Sequence, residues 1–136
     1  MMHKIFVYGT LKQGDFNHVI LKDKKAKIKF LGKAKTKPEF TLYNLEKFPG
    51  MVRGGNTSVS GEIYKVDDDI LAYLDFLEGY DPTKKWNMYN REEIELEGGG
   101  TIESYIFPEE NLRKNDTVIE SGHWETFEER KKKQRH

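Results

Sequence analysis

The chain has 136 residues, 12% aromatic and 34% charged, with no cysteine and a formal net charge of zero. That length makes one domain burying roughly two-thirds of its unfolded surface, and the aromatic content excludes an unfolded chain. The lack of cysteine removes disulfides, thiolate nucleophiles and zinc–thiolate sites and fits a reducing, cytoplasmic setting, and no run approaches the roughly 18 apolar residues that cross a bilayer.

In chain order, His3 to Tyr8 is an apolar run stopped by Gly9 and reads as a strand meeting a sharp turn. Its apolar part, Ile5 to Val7, is too short for a signal-peptide core. Asn17 can cap a short helix carrying Val19, Ile20 and Leu21. Lys22 to Lys37 embeds Ile28, Phe30 and Leu31 among lysines and reads as strand and loop. Phe40 to Leu45 is the next strand. Phe48–Pro49–Gly50 and Gly54–Gly55–Asn56 read as turns, and Ser58 to Val66 as a β-branched strand. A helix follows the acids Asp67, Asp68 and Asp69, with Ile70, Leu71, Leu74 and Leu77 at helical spacing. Gly79 stands where a left-handed cap residue belongs, and Pro82 prevents continuation. Trp86 to Leu96 and Thr101 to Phe107 read as strands joined by a Gly98–Gly100 hairpin turn. Beyond Leu112 the pattern weakens: Ser121 to Trp124 reads as a loop and Trp124 to Arg130 as a last helical turn or two. The expected architecture is α+β, a small mixed β-barrel with flanking short helices, over residues 1–130, followed by a frayed basic tail over 131–136.

The charge is segregated. Residues 1–61 hold 12 Lys+Arg against 4 Asp+Glu, and residues 62–129 hold 6 against 19. A basic patch can bind nucleic acid. The simpler reading, adopted here, is that the acidic half neutralises the basic half after folding, leaving no nucleic-acid or membrane partner.

Several chemistries drop out. Ser58, Ser60, Ser104 and Ser121 lie in no G-x-S-x-G elbow. His3, His18, His123 and His136 have no metal-motif spacing, and there is no Walker loop. One residue breaks its own pattern. On a helical wheel Glu78 falls inside the apolar stripe of Leu71, Leu74 and Leu77, with Asp75 at the stripe's edge. A carboxyl there has its pKa raised by burial and by the helix C-terminus, the property of a general acid/base near neutral pH. A helix end that opens to water, or a lysine partner, would account for it equally well. The second unit is Tyr8–Gly9–Thr10–Leu11, where free backbone N–H groups at a glycine turn could hold an anion or a developing oxyanion, though such turns are also common as plain connections.

Taken together, FVYGTLKQGDFNH, GEIYKV, LDFLEGYD and the Phe48–Pro49–Gly50–Met51–Val52 loop resemble the gamma-glutamyl cyclotransferase-like family. The similarity is greatest to its gamma-glutamylamine cyclotransferase branch, which shares the YGTLK, Gly and Asn-His order. It runs from Lys4 to about Arg91 and fades beyond Phe107, and the Ser121–Trp124 stretch looks more like bacterial members. The resemblance implies a cavity at one end of the fold, Tyr8, Gly9, Thr10 and Leu11 as the substrate cradle, and Glu78 as the catalytic acid/base. It places Tyr43, Pro49 and Tyr105 at the cavity wall. It also implies a small-molecule gamma-glutamyl substrate, release of 5-oxoproline with a free amine or amino acid, and no cofactor or metal. A non-catalytic binding module on the same fold is the alternative. Neither the leaving group nor the oligomeric state is legible.

Overall fold

In the computed structural model, residues 1–22 and 27–134 are described. Eight strands and two α-helices follow in order: β1 Met2–Val7, β2 Ile28–Lys35, β3 Phe40–Asn44, β4 Pro49–Arg53, β5 Ser60–Asp67, α1 Asp68–Leu77, β6 Asn90–Glu95, β7 Thr101–Ile106, β8 Thr117–Val118 and α2 Phe127–Gln134. Short 3₁₀ helices cover Phe16–Lys22 and Glu109–Asn111.

The strands make a five-stranded sheet, β2-β5-β1-β7-β6, and a three-stranded sheet, β4-β3-β8. β1 and β7 run parallel, and every other neighbouring pair runs antiparallel. The expected barrel is corrected. The edge strands β2 and β6 are not paired along their length and meet only at the bridge Thr36–Leu96, where Lys37 N–H donates to the Glu95 carbonyl and Glu97 N–H to the Lys35 carbonyl. The β-bulge between Phe30 and Gly32 bends β2 on that edge. The mixed α+β class stands.

β1 lies at the centre of the large sheet, and its alternation divides the core. Ile5 and Val7 pack with Tyr64, Val66 and the α1 residues Ile70, Leu71 and Leu74 on one face. Phe6 and Tyr8 pack with Phe40, Leu42, Met51 and Ile94 on the other. Ion pairs Lys37–Glu95 and Arg53–Glu92 (2.8 Å) join the basic first half of the chain to the acidic second half.

Four local expectations change. Pro49 and Gly50 open strand β4 rather than forming a turn, since proline is tolerated as a first strand residue; the turn is one step earlier, with Leu45 N–H bonded to the Phe48 carbonyl. Asn17 lies inside the 3₁₀ helix and donates to Thr10 Oγ1 (2.8 Å) instead of capping, while Asp15 accepts from Phe16 N–H (2.8 Å). β6 starts at Asn90, leaving 86–89 as a connection. Residues 131–134, expected to fray, continue α2, and Arg135 and His136 lie outside the described residues, as does part of the lysine-rich stretch at 23–26.

Candidate active site

Topology brings β1, α1 and β7 to one place. β5 runs antiparallel to β1, and α1 starts where β5 ends, capped by Asp67, whose carboxylate accepts from Ile70 N–H (2.9 Å). Ten helical residues carry the chain about 15 Å back along β1, so α1 ends beside the end of β1. Glu78 is the C-cap residue, its N–H bonded to the Leu74 carbonyl, and Gly79 follows at φ +66°, closing the helix in the left-handed conformation expected of it. The parallel β7 delivers Tyr105 to the same end.

These elements enclose a cavity of about 40 Å³ lined by Tyr8, Gly9, Thr10, Leu11, Pro49, Glu78 and Tyr105, together with Phe6, Val7, Phe48 and Tyr89. Seven of the eight residues anticipated from sequence therefore meet at one cavity. Tyr43 does not. It sits on β3 opposite Gly50, half-buried at the margin of the core. Its strand forms as expected, but the residue is not among those lining the cavity. Phe48 and Tyr89 were missed. The sequence pattern puts Phe48 in a turn, which fixes no contact direction, and Tyr89 in the body of a strand, whereas β6 starts at Asn90 and Tyr89 lies in the connection before it.

The phenols are committed. Tyr8 Oη donates to the Tyr105 carbonyl (2.7 Å) and accepts from Met51 N–H (3.0 Å), tying β1 to β7 and β4. Tyr89 Oη donates to the Pro49 carbonyl (2.7 Å), and Tyr105 Oη donates to Asp75 Oδ1 (2.7 Å). Burial pushes all three phenols far above their ordinary range, and the Glu78 charge adds to the shift. Asp75 is in turn held by Arg91 Nη1 (2.6 Å), whose Nε reaches Glu103 (3.2 Å). The acid at the stripe's edge thus anchors a wall of the cavity.

Glu78 differs from these neighbours. Its carboxyl accepts no hydrogen bond from the described residues, and burial pushes its pKa up from 4.5 to about 7. The cradle is similarly open. Among the described residues the N–H groups of Gly9, Thr10 and Leu11 have no protein partner, whereas Lys12 N–H closes the turn on the Gly9 carbonyl (3.0 Å). Gly9 is required by close approach, since a Cβ there would lie 2.8 Å from Pro49 Cγ. His18 Nδ1 bonded to the Leu11 carbonyl (3.0 Å) and Asn17 bonded to Thr10 hold the loop from behind. The arrangement offers one proton-exchanging carboxyl near neutrality, facing free N–H donors across a small, tyrosine-walled space.

A family profile described as "Gamma-glutamyl cyclotransferase, AIG2-like" matches residues 5–126. A Vibrio cholerae protein provisionally named gamma-glutamylcyclotransferase is 42% identical over 124 residues, covering 91% of this chain and 96% of that protein. A rat protein named gamma-glutamylaminecyclotransferase is 35% identical, covering 73% of this chain and 70% of its own. Among solved structures, a mouse AIG2-like protein superposes with a TM-score of 0.65 at 31% identity, covering 83% of this chain and 80% of its own. A uropathogenic E. coli-specific protein superposes at 0.75 over 100% of this chain and 98% of its own; at 22% identity it shows likeness of fold.

Proposed function

The chain belongs to the gamma-glutamyl cyclotransferase, AIG2-like family, and we propose that it converts a gamma-glutamyl compound to 5-oxoproline and a free amine or amino acid, with Glu78 as general acid/base. The observation that carries this reading is a carboxyl of pKa about 7 at the cavity that also holds the free N–H groups of Gly9 to Leu11.

The chemistry asks little else of the protein. The substrate's α-nitrogen is its own nucleophile, and closing a five-membered ring is already intramolecular. Glu78, ionised, takes a proton from the α-ammonium. The freed nitrogen attacks the γ-carbonyl carbon, and the N–H groups of the cradle receive the oxyanion. As the bond from that carbon to the leaving nitrogen breaks, Glu78 returns the proton there. Two protons pass from the α-nitrogen to the leaving nitrogen in all, and a single carboxyl carries them in succession. No water is consumed. The three committed tyrosines hold the walls, and burial keeps Glu78 poised near neutrality.

The test is incubation with gamma-glutamyl amino acids and amines, with 5-oxoproline measured by mass spectrometry, for wild type and Glu78→Gln. The reading requires 5-oxoproline from the wild type and a loss of roughly 10²–10⁴-fold or more in the variant. A protein that binds these compounds without cyclising any of them is the binding module instead.

A further inference from the structure

We infer that the substrates this site takes are gamma-glutamyl conjugates of apolar α-amino acids, whose side chain lies in an apolar vestibule outside the Glu78 cavity and whose α-carboxylate meets Lys47. The inference rests on the cyclotransferase reading and adds the identity of the leaving group.

The 40 Å³ cavity is room for the reacting end of a substrate and little more. A vestibule of about 310 Å³ adjoins it and shares Thr10, Phe48, Glu78 and Tyr89 with it. A recess of about 150 Å³ continues from Phe48 and Met88 towards Leu45 and Trp86. A group leaving from the γ-carbon beside Glu78 has this way out.

Beside Thr10, Asn17, Lys47 and Glu78 the vestibule is walled by Phe16, Phe48, Leu77, Met88 and Tyr89, and the fold does not explain why so much apolar surface is left open here. Leu77 belongs to the apolar stripe of α1, which a helix ordinarily buries, yet it is 37% exposed. Phe16 is 62% exposed and held in place by packing on Phe127, with ring centroids 4.8 Å apart. Both line the vestibule with Phe48 and Met88. Exposed apolar side chains gathered at the mouth of a cavity mark contact with an apolar ligand. Of the described residues lining the vestibule itself, the charged ones are Glu78 and Lys47, while the recess beyond adds Arg113 and Asp116, whose charges are opposite. With Glu78 engaged at the reacting atoms, Lys47 is left as a cation, which matches a leaving group that bears a carboxylate and opposes one that bears a further positive charge.

The experiment compares kcat/KM for gamma-glutamyl conjugates of phenylalanine, leucine, glycine and lysine, and for gamma-glutamyl phenethylamide, which lacks the α-carboxylate, by following 5-oxoproline. The expected order puts phenylalanine and leucine roughly tenfold or more above glycine, a span apolar pockets commonly give, chiefly through KM. Lysine conjugates fall below glycine. The phenethylamide falls below the phenylalanine conjugate in wild type and draws level with it in Lys47→Ala. Phe16→Ser, at an exposed position, narrows the phenylalanine-to-glycine ratio without abolishing turnover. Glycine or lysine conjugates turned over as well as phenylalanine, or a phenethylamide equal to the phenylalanine conjugate in wild type, would overturn this inference while leaving the cyclotransferase reading intact. No 5-oxoproline from any conjugate overturns both.

Discussion

At the scale of single residues the site depends on an imbalance between Glu78 and its neighbours. Each phenol around it donates its hydrogen bond to a protein acceptor, so among the described residues none donates to the carboxyl, and burial raises its pKa to about 7. The pH profile of kcat/KM should therefore rise through about 7 rather than about 4.5, because the ionised form starts the reaction. Glu78→Gln should lose that rise together with the activity. Stability carries the opposite sign. A carboxyl whose folded pKa exceeds its unfolded value favours the fold while protonated, and that contribution is lost as pH rises from about 4.5 through about 7. Glu78→Gln should thus match wild type in Tm near pH 4 and exceed it at pH 8, by the equivalent of roughly 1–3 kcal/mol. A variant less stable than wild type at pH 8 would mean that the carboxylate is structurally required. Gly9 makes the complementary case for the backbone. Gly9→Ala would drive a Cβ into the Pro49 ring, with an expected cost of about 1–3 kcal/mol and a raised KM. Gly98→Ala, with nothing within 4 Å of the added carbon, is the harmless control.

At the scale of elements, α1 shows what sequence can reveal and where it stops. Its start, stripe and end are written in Asp67, in the spacing of Ile70, Leu71 and Leu74, and in Gly79, all short-range signals. Glu78 was legible as an acid inside an apolar stripe, and the Tyr8–Leu11 loop, a common glycine turn by its own pattern, was legible only through the family resemblance. The barrel, β4, Tyr43 and Tyr89 were not, because each depends on a partner distant in sequence. β8 has only two residues and exists through pairing of Thr117 and Val118 with β3. Arg91 also escaped notice, although it secures the far wall by holding Asp75, which holds Tyr105. Arg91→Ala leaves a half-buried carboxylate without its cation and should cost about 1–3 kcal/mol, read as a lower Tm. Because Arg91 acts through Tyr105 and not on the reacting atoms, KM should rise more than kcat falls, and the pH midpoint near 7 should stay in place. A shift of that midpoint would instead tie Arg91 electrostatically to Glu78.

At the scale of the whole molecule, the last segment of the chain is a strap over the substrate loop. Ile119 N–H bonds to the Leu42 carbonyl (2.7 Å), and Ser60 N–H to the Gly122 carbonyl (2.8 Å), which fastens the strap to both sheets. Trp124, almost fully buried, donates from Nε1 to Asp15 (2.9 Å), and its carbonyl accepts from Lys12 Nζ (2.6 Å). Glu128 N–H then bonds to the Gly14 carbonyl (3.0 Å). Among the described residues, the hydrogen bonds that the segment after Gly122 makes outside the strap all fall on the loop that begins with the cradle, and none of its residues lines the Glu78 cavity. Beyond Arg130 the character changes. Residues 131–134 are exposed, and the Lys133–Glu125 pair (2.7 Å) is a surface pair worth about 1 kcal/mol or less. A truncation and a substitution separate these roles. Removing residues 131–136 should shift Tm slightly and leave turnover near wild type. Trp124→Ala should cost about 3–5 kcal/mol, as loss of a buried tryptophan does, and hydrogen exchange should quicken at Gly9 to Asp15 before it quickens in β1 or β5. If removing 131–136 is as damaging as Trp124→Ala, the last turn of α2 is part of the strap; if exchange at Gly9 to Asp15 is unchanged in Trp124→Ala, the loop holds its shape without it.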